Sequence, residues 1–246
     1  MNDPYTTMGE GGQFPQTTWS MVVNLRTDEE RERGLEKLCE RYWKPIYCYV
    51  RRRLRRTNED AKDLTQGFFV WLVDGQVLGR YDPDQASFRL YLKGLLRNYA
   101  SNVNQAEGRL KRGGGVKHVA LSLPDDEVRD LESMLADPRS ESPEDAFEQA
   151  WIEGLIERGL ERTRQGLLEA GQELRLEIYE AYELAAPGEQ PTYTSVAEAL
   201  GVKVSDVRNH LFAARERLRA EIRQELRETV ASTAQLEEEW KVVFGD

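Results

Sequence analysis

The sequence predicts an all-α protein, two helical domains joined by an acidic linker. Three observations carry that expectation. Apolar residues recur at three- and four-residue spacing along most of the chain, and convincing strands are absent. A proline-, serine- and acid-rich stretch separates two such helical blocks.

In the first block, Asp28 can cap a helix whose apolar residues Leu35, Leu38 and Tyr42 fall at helical spacing. Trp43, Ile46, Tyr47 and Val50 continue the pattern around Pro45, which should kink that helix or start a new one. Asn58 is placed to cap the next helix, with Ala61, Leu64, Phe68 and Leu72 on one face. The segment GQVLGRYDPDQAS has turn chemistry and predicts a loop. Phe88, Leu92, Leu95 and Tyr99 line a further helix that ends before Gly113, Gly114 and Gly115. From about Ser122 to Glu148 the chain offers little that can pack. Trp151, Leu155 and Leu160 open the second block, and Leu174, Ile178 and Tyr182 lie on a later helix ended by APGEQPTY. A C-terminal helix is expected around Leu236, Trp240, Val243 and Phe244, where core packing is the ordinary role for a Trp at helical spacing.

The most specific local pattern follows Thr194. Val196, Ala197 and Leu200 make the inner face of a short helix, and Gly201 comes next, the residue that tolerates a positive φ at a helix end. Ser205 can cap a second helix with Val207, Leu211, Ala214 and Leu218 facing inward. This is the pattern of a helix-turn-helix. The second helix turns outward Arg208, Asn209, His210, Phe212 and Ala213, followed by Arg215, Arg217 and Arg219. Asn and Arg can hydrogen-bond base edges, while later arginines suit phosphates. The plainer alternative is an αα-hairpin with a solvated basic face.

Charge is unevenly spread over the 246 residues, 32% of them charged, with a formal net charge of −10. Between Pro124 and Glu161 thirteen acids face three arginines, so this stretch carries as much net charge as the whole chain. The remainder is near neutral and holds two basic blocks. One contains Arg51, Arg52, Arg53, Arg55 and Arg56, and the other Arg89, Lys93, Arg97, Arg109, Lys111, Arg112 and Lys117. Screening confines a charge's influence to about 8–10 Å, so such local clusters decide phosphate binding more than net charge does.

Composition disfavours several classes. No apolar run reaches the ~18–20 residues of a transmembrane helix. The start MNDPYTTMGEGG lacks the basic and apolar parts of a secretory signal. Cys39 and Cys48 cannot form a disulfide framework, and no metal-ligand spacing joins them to His118 and His210. A reduced, cytoplasmic protein without metal or cofactor is expected. No nucleophile–base constellation is present, and Gly113–Gly115 lacks the GK[ST] ending of a phosphate loop, which argues against an enzyme.

The two blocks together carry a family resemblance. The run NEDAKDLTQGFFVWL from Asn58 to Leu72 resembles region 2 of the sigma-70 family of bacterial RNA polymerase sigma factors. SFRLYLKGLLRN from Ser87 to Asn98 is similar to that region's promoter-melting helix, and VRNHLFAARERLR from Val207 to Arg219 resembles region 4. Regions 2 and 4 with a linker between them follow the plan of the extracytoplasmic-function type. Thr17-Thr18-Trp19-Ser20, Leu38-Cys39-Glu40-Arg41-Tyr42-Trp43 and Lys111-Arg112-Gly113-Gly114-Gly115 resemble a subgroup abundant in planctomycetes. The implied organisation is region 2 over 1–118, an acidic linker over 119–148, region 4 over 149–230 with its helix-turn-helix at about 193–219, and a tail over 231–246.

The resemblance implies roles. Region 2 would bind the clamp of the polymerase's largest catalytic subunit through Asp60, Asp63 and Gln66, expected on the exposed side of their helix; a solvated, acid-rich helix start also accounts for the two acids. Gly67 stands where many family members have Glu. Melting of the minus-ten element would use Tyr81 as the pocket aromatic and Asn98 as a base-contacting amide. Arg89, Lys93, Arg97, Arg109, Lys111 and Arg112 would hold phosphates. A loop aromatic covering the domain edge is an equal alternative for Tyr81. Region 4 would read the minus-thirty-five duplex with Arg208, Asn209 and His210, flanked by Lys203 and Ser205, with Phe212, Arg215 and Arg217 nearby. Ala213 replaces a frequent Arg. Expected partners are core RNA polymerase (its clamp and the flap of the second-largest subunit), promoter DNA and an anti-sigma factor, with no membrane. The linker either threads a basic channel of the enzyme or acts as a solvated tether. The tail either docks on region 4 or region 2, or meets a regulator. Rival functions are a stand-alone helix-turn-helix regulator, an enzyme and a protein-only scaffold; the last leaves the helix-turn-helix and the arginines unexplained.

Overall fold

The computed structural model describes residues 28–74, 77–110, 142–186 and 188–245, with the side chains of 28–32 and 107–110 outside that description. The fold is all-α: eight α-helices and no strand among the described residues. Two compact units are present, Leu155–Glu225 and the rest of the chain.

The first unit is built on α1 (Asp28–Leu54), which runs through Pro45 as one helix rather than restarting there. Pro45 to Val50 are all buried, including Ile46, Tyr47, Cys48 and Tyr49. A helix apolar on every side must lie inside its bundle. The helix ends on Arg55 at φ 51°, a left-handed residue other than glycine. Next comes α2 (Asn58–Asp74), burying Ala61, Phe68, Phe69 and Leu72, with Trp43 of α1 stacked on Phe69 at 5.8 Å. Its cap is Thr57, whose Oγ1 accepts the backbone N–H of Asp60 at 3.2 Å, and not Asn58 as expected. Asn58 instead accepts the Tyr47 hydroxyl at 2.7 Å, pinning α2 to α1. A 3-10 turn (Leu78–Arg80) leads to α3 (Phe88–Leu110), whose buried stripe is Phe88, Leu92, Leu96 and Ala100. The expected Leu95 and Tyr99 are half-buried beside it.

Helix α4 (Pro143–Glu169) begins inside the stretch expected to be an unpacked linker. Ser142 and Asp145 cap it reciprocally: the Ser142 hydroxyl accepts the Asp145 N–H at 3.1 Å, and the Asp145 carboxylate accepts the Ser142 N–H at 3.0 Å. Those bonds hold the Asp145 carboxyl below its ordinary pKa. Ala146, Phe147, Ala150 and Trp151 are buried in the first unit, so packing overrides the local acidity. Residues 111–141, the bulk of the linker, lie outside the described residues. The first unit is completed by α8 (Thr233–Phe244), capped by Ser232 and burying Leu236 and Glu239.

The second unit holds the remainder of α4, then α5 (Glu173–Glu183), α6 (Tyr193–Leu200) and most of α7 (Val204–Arg227). Gly159 allows α4 and α7 to approach closely, since a Cβ there would lie 2.6 Å from Ile222 Cγ1. Beside it, the inaccessible carboxylate of Glu225 meets Arg162 and Arg158, the latter at 3.2 Å.

Candidate nucleic-acid interface

In the second unit the two-helix motif has its expected internal logic. Thr192 caps α6, its hydroxyl accepting the Ser195 N–H at 3.1 Å. Gly201 ends α6 in the left-handed region (φ 65°, ψ 31°), and the Val202 N–H bonds back to the Ala197 carbonyl at 3.0 Å. Val196, Ala197, Val207, Leu211 and Ala214 then close on Ile178 and Tyr179 of α5 as one core. The cap of α7 differs from expectation. Ser205 lies inside the first turn, and the Asp206 carboxylate reaches back to the Lys203 N–H at 3.3 Å.

The outward face of α7 is the informative surface. Lys203, Ser205, Arg208, Asn209 and Phe212 are all exposed, and residues 205, 208, 209 and 212 share one side of the helix. Phe212 is 68% exposed, an unusual position for a large aromatic on an otherwise polar stripe. Arg208 sits 5.8 Å from the Tyr193 ring centre, which steadies its guanidinium. His210 is half-buried, its Nδ1 inaccessible and without a hydrogen bond among the described residues. Ala213 is half-buried. Arg215 and Arg217, expected to face DNA, are half-buried and each lies beside a carboxylate of the same unit. Arg215 donates to Glu183 through Nε at 2.7 Å, a bond that raises its pKa, and Arg217 lies 3.7 Å from Glu221.

In the first unit, Asp60 is exposed and Asp63 half-buried on α2, but Gln66 is buried at 5% exposure, so it does not share their solvent face. Steps of three residues fall 60° short of a full turn, and two such steps carry position 66 round to the Phe69–Leu72 stripe.

Tyr81 is also buried. Its hydroxyl donates to the Ala86 carbonyl at 2.9 Å, its ring meets Phe88 edge-on at 5.4 Å, and burial pushes its phenol above the ordinary range. It closes the domain edge, the alternative role, and presents no open stacking face.

The basic face of α3 is occupied by carboxylates of the same unit. Arg89, 5% exposed, donates from Nε to Glu239 at 2.7 Å, bonds Glu148 as well, and lies 4.7 Å from the Trp151 ring centre. Lys93 also bonds Glu148, and Arg97 lies 3.5 Å from Glu144. Burial would lower the pKa of Arg89, but Glu239 and Glu148 outweigh it and the net shift is upward. Arg89, expected to be open to phosphates, is thus a buried ion-pair cation in this structure. Asn98 is exposed. Arg109 lies in α3 with its side chain outside the description, and Lys111 and Arg112 lie outside the described residues altogether. Sequence reasoning missed Glu144, Glu148 and Glu239 as partners; the only available signal was that linker acids and α3 bases were opposite in sign.

Among the described residues no His, Cys, Asp and Glu cluster could hold a metal ion, and no helix is long and apolar enough to cross a membrane. Comparison of the chain with protein-family models, curated proteins and solved structures gave no match.

Proposed function

We propose that this chain is a sigma factor of the extracytoplasmic-function type, a dissociable subunit that directs core RNA polymerase to promoters. One observation carries the reading: α7 displays Ser205, Arg208, Asn209 and Phe212 on a single exposed side, with Lys203 exposed just before the helix, fixed by a left-handed Gly201 turn and a closed core behind it. Arg and Asn supply the donors that recognise guanine and adenine edges, and an exposed apolar ring suits the thymine methyl group. An exposed stripe of that chemistry on the second helix of such a motif is what major-groove reading requires.

In this proposal the second unit contacts the upstream duplex. The first unit binds the polymerase clamp through the Asp60 and Asp63 face of α2 and holds the melted strand along α3. The chain catalyses nothing itself; phosphodiester chemistry belongs to the polymerase, and the chain works in the cytoplasm, where that enzyme is. Net acidity keeps isolated binding to DNA weak, because a chain of charge −10 repels the phosphate backbone outside its basic patches.

The test is transcription in vitro with purified core polymerase, this chain and a genomic fragment library. Start sites that appear only when the chain is added, sharing upstream and minus-ten elements, are the expected result. Tight operator binding by the chain alone, with no response from core polymerase, would instead identify a stand-alone regulator.

A further inference from the structure

The face of α3 that the proposed function assigns to DNA phosphates is covered, and the cover belongs to this chain. Within the first unit, Glu144 and Glu148 at the start of α4 and Glu239 of α8 meet Arg97, Lys93 and Arg89. The three cations stand at positions 89, 93 and 97, one helical turn apart along a single stripe, which is the spacing of a track for a polyanion. The cover is sealed at its far end. Gln235 of α8 donates its side-chain amide to the carbonyl of Pro83, in the loop that leads into α3. Trp151 and Phe147 of α4 back the same stripe, with Arg89 4.7 Å and Lys93 6.0 Å from their ring centres.

We infer that the acidic start of α4 and the tail helix α8 act as an internal mimic of the nucleic-acid strand, holding the Arg89–Lys93–Arg97 track shut until a competing polyanion displaces them. Carboxylates and phosphates compete for the same cations, so cover and strand are mutually exclusive on this stripe. The exposed pairs open first. Arg97 and Glu144 keep side-chain exposures of 59% and 36%, whereas Arg89 and Glu239 keep 6% and 4%. Entry from the Arg97 end is thus the route of displacement. The function of the track as a strand-binding site rests on the sigma-factor reading; the occlusion itself does not.

The experiment measures binding of a fluorescein-labelled twelve-nucleotide single strand to the full chain at low salt, by anisotropy, alongside retention of the chain on immobilised core polymerase. Glu239→Gln can loosen the fold, because it leaves an inaccessible guanidinium short of charge. The decisive variant is therefore Glu144→Gln with Glu148→Gln, whose side chains reach solvent. A cover predicts at least ten-fold tighter oligonucleotide binding for this variant, with a steeper loss on adding salt. Adding Lys93→Ala should abolish most of that gain. Affinity within two-fold of the parent, with the helical melting transition intact, overturns the cover. If core polymerase still retains the chain in that case, the sigma-factor reading survives alone. If the variant gains affinity and core polymerase ignores the chain, the cover stands and the polymerase reading falls.

Discussion

Gly67 lies directly beneath the hydroxyl of Tyr99, so close that a Cβ on residue 67 would stand 2.7 Å from that oxygen. The Tyr99 ring is held between Phe68 at 5.3 Å and Trp71 at 5.7 Å, and burial raises its phenol pKa. Glycine inside a helix costs about 1 kcal/mol relative to alanine. Its presence in the middle of α2 is explained by this contact. Gly67→Ala should therefore destabilise the parent chain, and in a Tyr99→Phe background it should stabilise by about 0.5–1 kcal/mol. Urea unfolding of the four chains in that cycle checks the sign change.

The turn between α6 and α7 gives a second prediction. Gly201 stands at φ 65°, where a residue with a Cβ loses roughly 1–2 kcal/mol and a β-branched one more. Gly201→Val should destabilise the second unit by more than that range, whereas Gly201→Asn should cost less than 1 kcal/mol because Asn tolerates the left-handed region. Hydrogen exchange over α6 and α7 reports the difference locally.

Periodicity locates the two-helix motif because its contacts are local: residues 196, 197, 207, 211 and 214 face inward on helices joined by three residues. Gly201 was legible for the same reason, since only the backbone of its own turn decides its φ. Three kinds of error had tertiary causes. Asn58 has good cap chemistry, but Tyr47 claims its side chain and Thr57 is left to cap. The acids at 144 and 148 look solvated in sequence, yet Phe147 and Trp151 between and after them are apolar enough to dock the helix and bring both to α3. Arg89 resembles any phosphate-binding arginine, because nothing local tells that Glu239, 150 positions later, will meet it. The Gln66 error was of a different sort, a drift in helical phase that arithmetic alone could have caught.

The thiols offer a pH test. Burial pushes Cys48 from 9.0 up to about 12 and Cys39 from 9.0 up to about 11, with Glu40 adding to the latter. A thiol whose folded pKa is raised contributes stability that is complete below its unfolded value and is lost as pH rises from there towards the folded one. Stability should thus fall as pH rises above about 9. At pH 8 a disulfide exchange reagent should label Cys39 slowly and leave Cys48, 1% exposed, untouched until denaturant is added. Rapid native labelling of both would contradict this packing.

On α7 the proposed reading of DNA should separate from folding. Arg208, Asn209 and Phe212 are exposed, so Arg208→Ala with Asn209→Ala should change stability by no more than about 0.5 kcal/mol. Promoter-dependent transcription should drop ten-fold or more while retention on core polymerase stays unchanged, since each lost base contact is worth roughly 1–3 kcal/mol. Phe212→Ala should reduce preference for thymine at one position without altering the salt dependence of binding. Run-off assays on promoter variants distinguish these outcomes.

The acid face of α2 and the buried amide beside it should separate in the opposite sense. Asp60 is exposed and Asp63 half-buried, so charge reversal with Asp60→Arg and Asp63→Arg leaves the core untouched. It also places two cations in the first turns of a helix, where the macrodipole disfavours each by about 0.3–1 kcal/mol. A modest loss in melting temperature is expected, together with a loss of core-polymerase retention far larger than that destabilisation explains. Gln66→Ala acts through the interior instead. Deleting an amide that is 5% exposed costs on the order of 1–3 kcal/mol of folding stability. At temperatures where the variant is fully folded, its polymerase affinity should equal the parent's. A pull-down in which Gln66→Ala lowers retention as much as the charge reversal would show that this side chain turns outward in the complex.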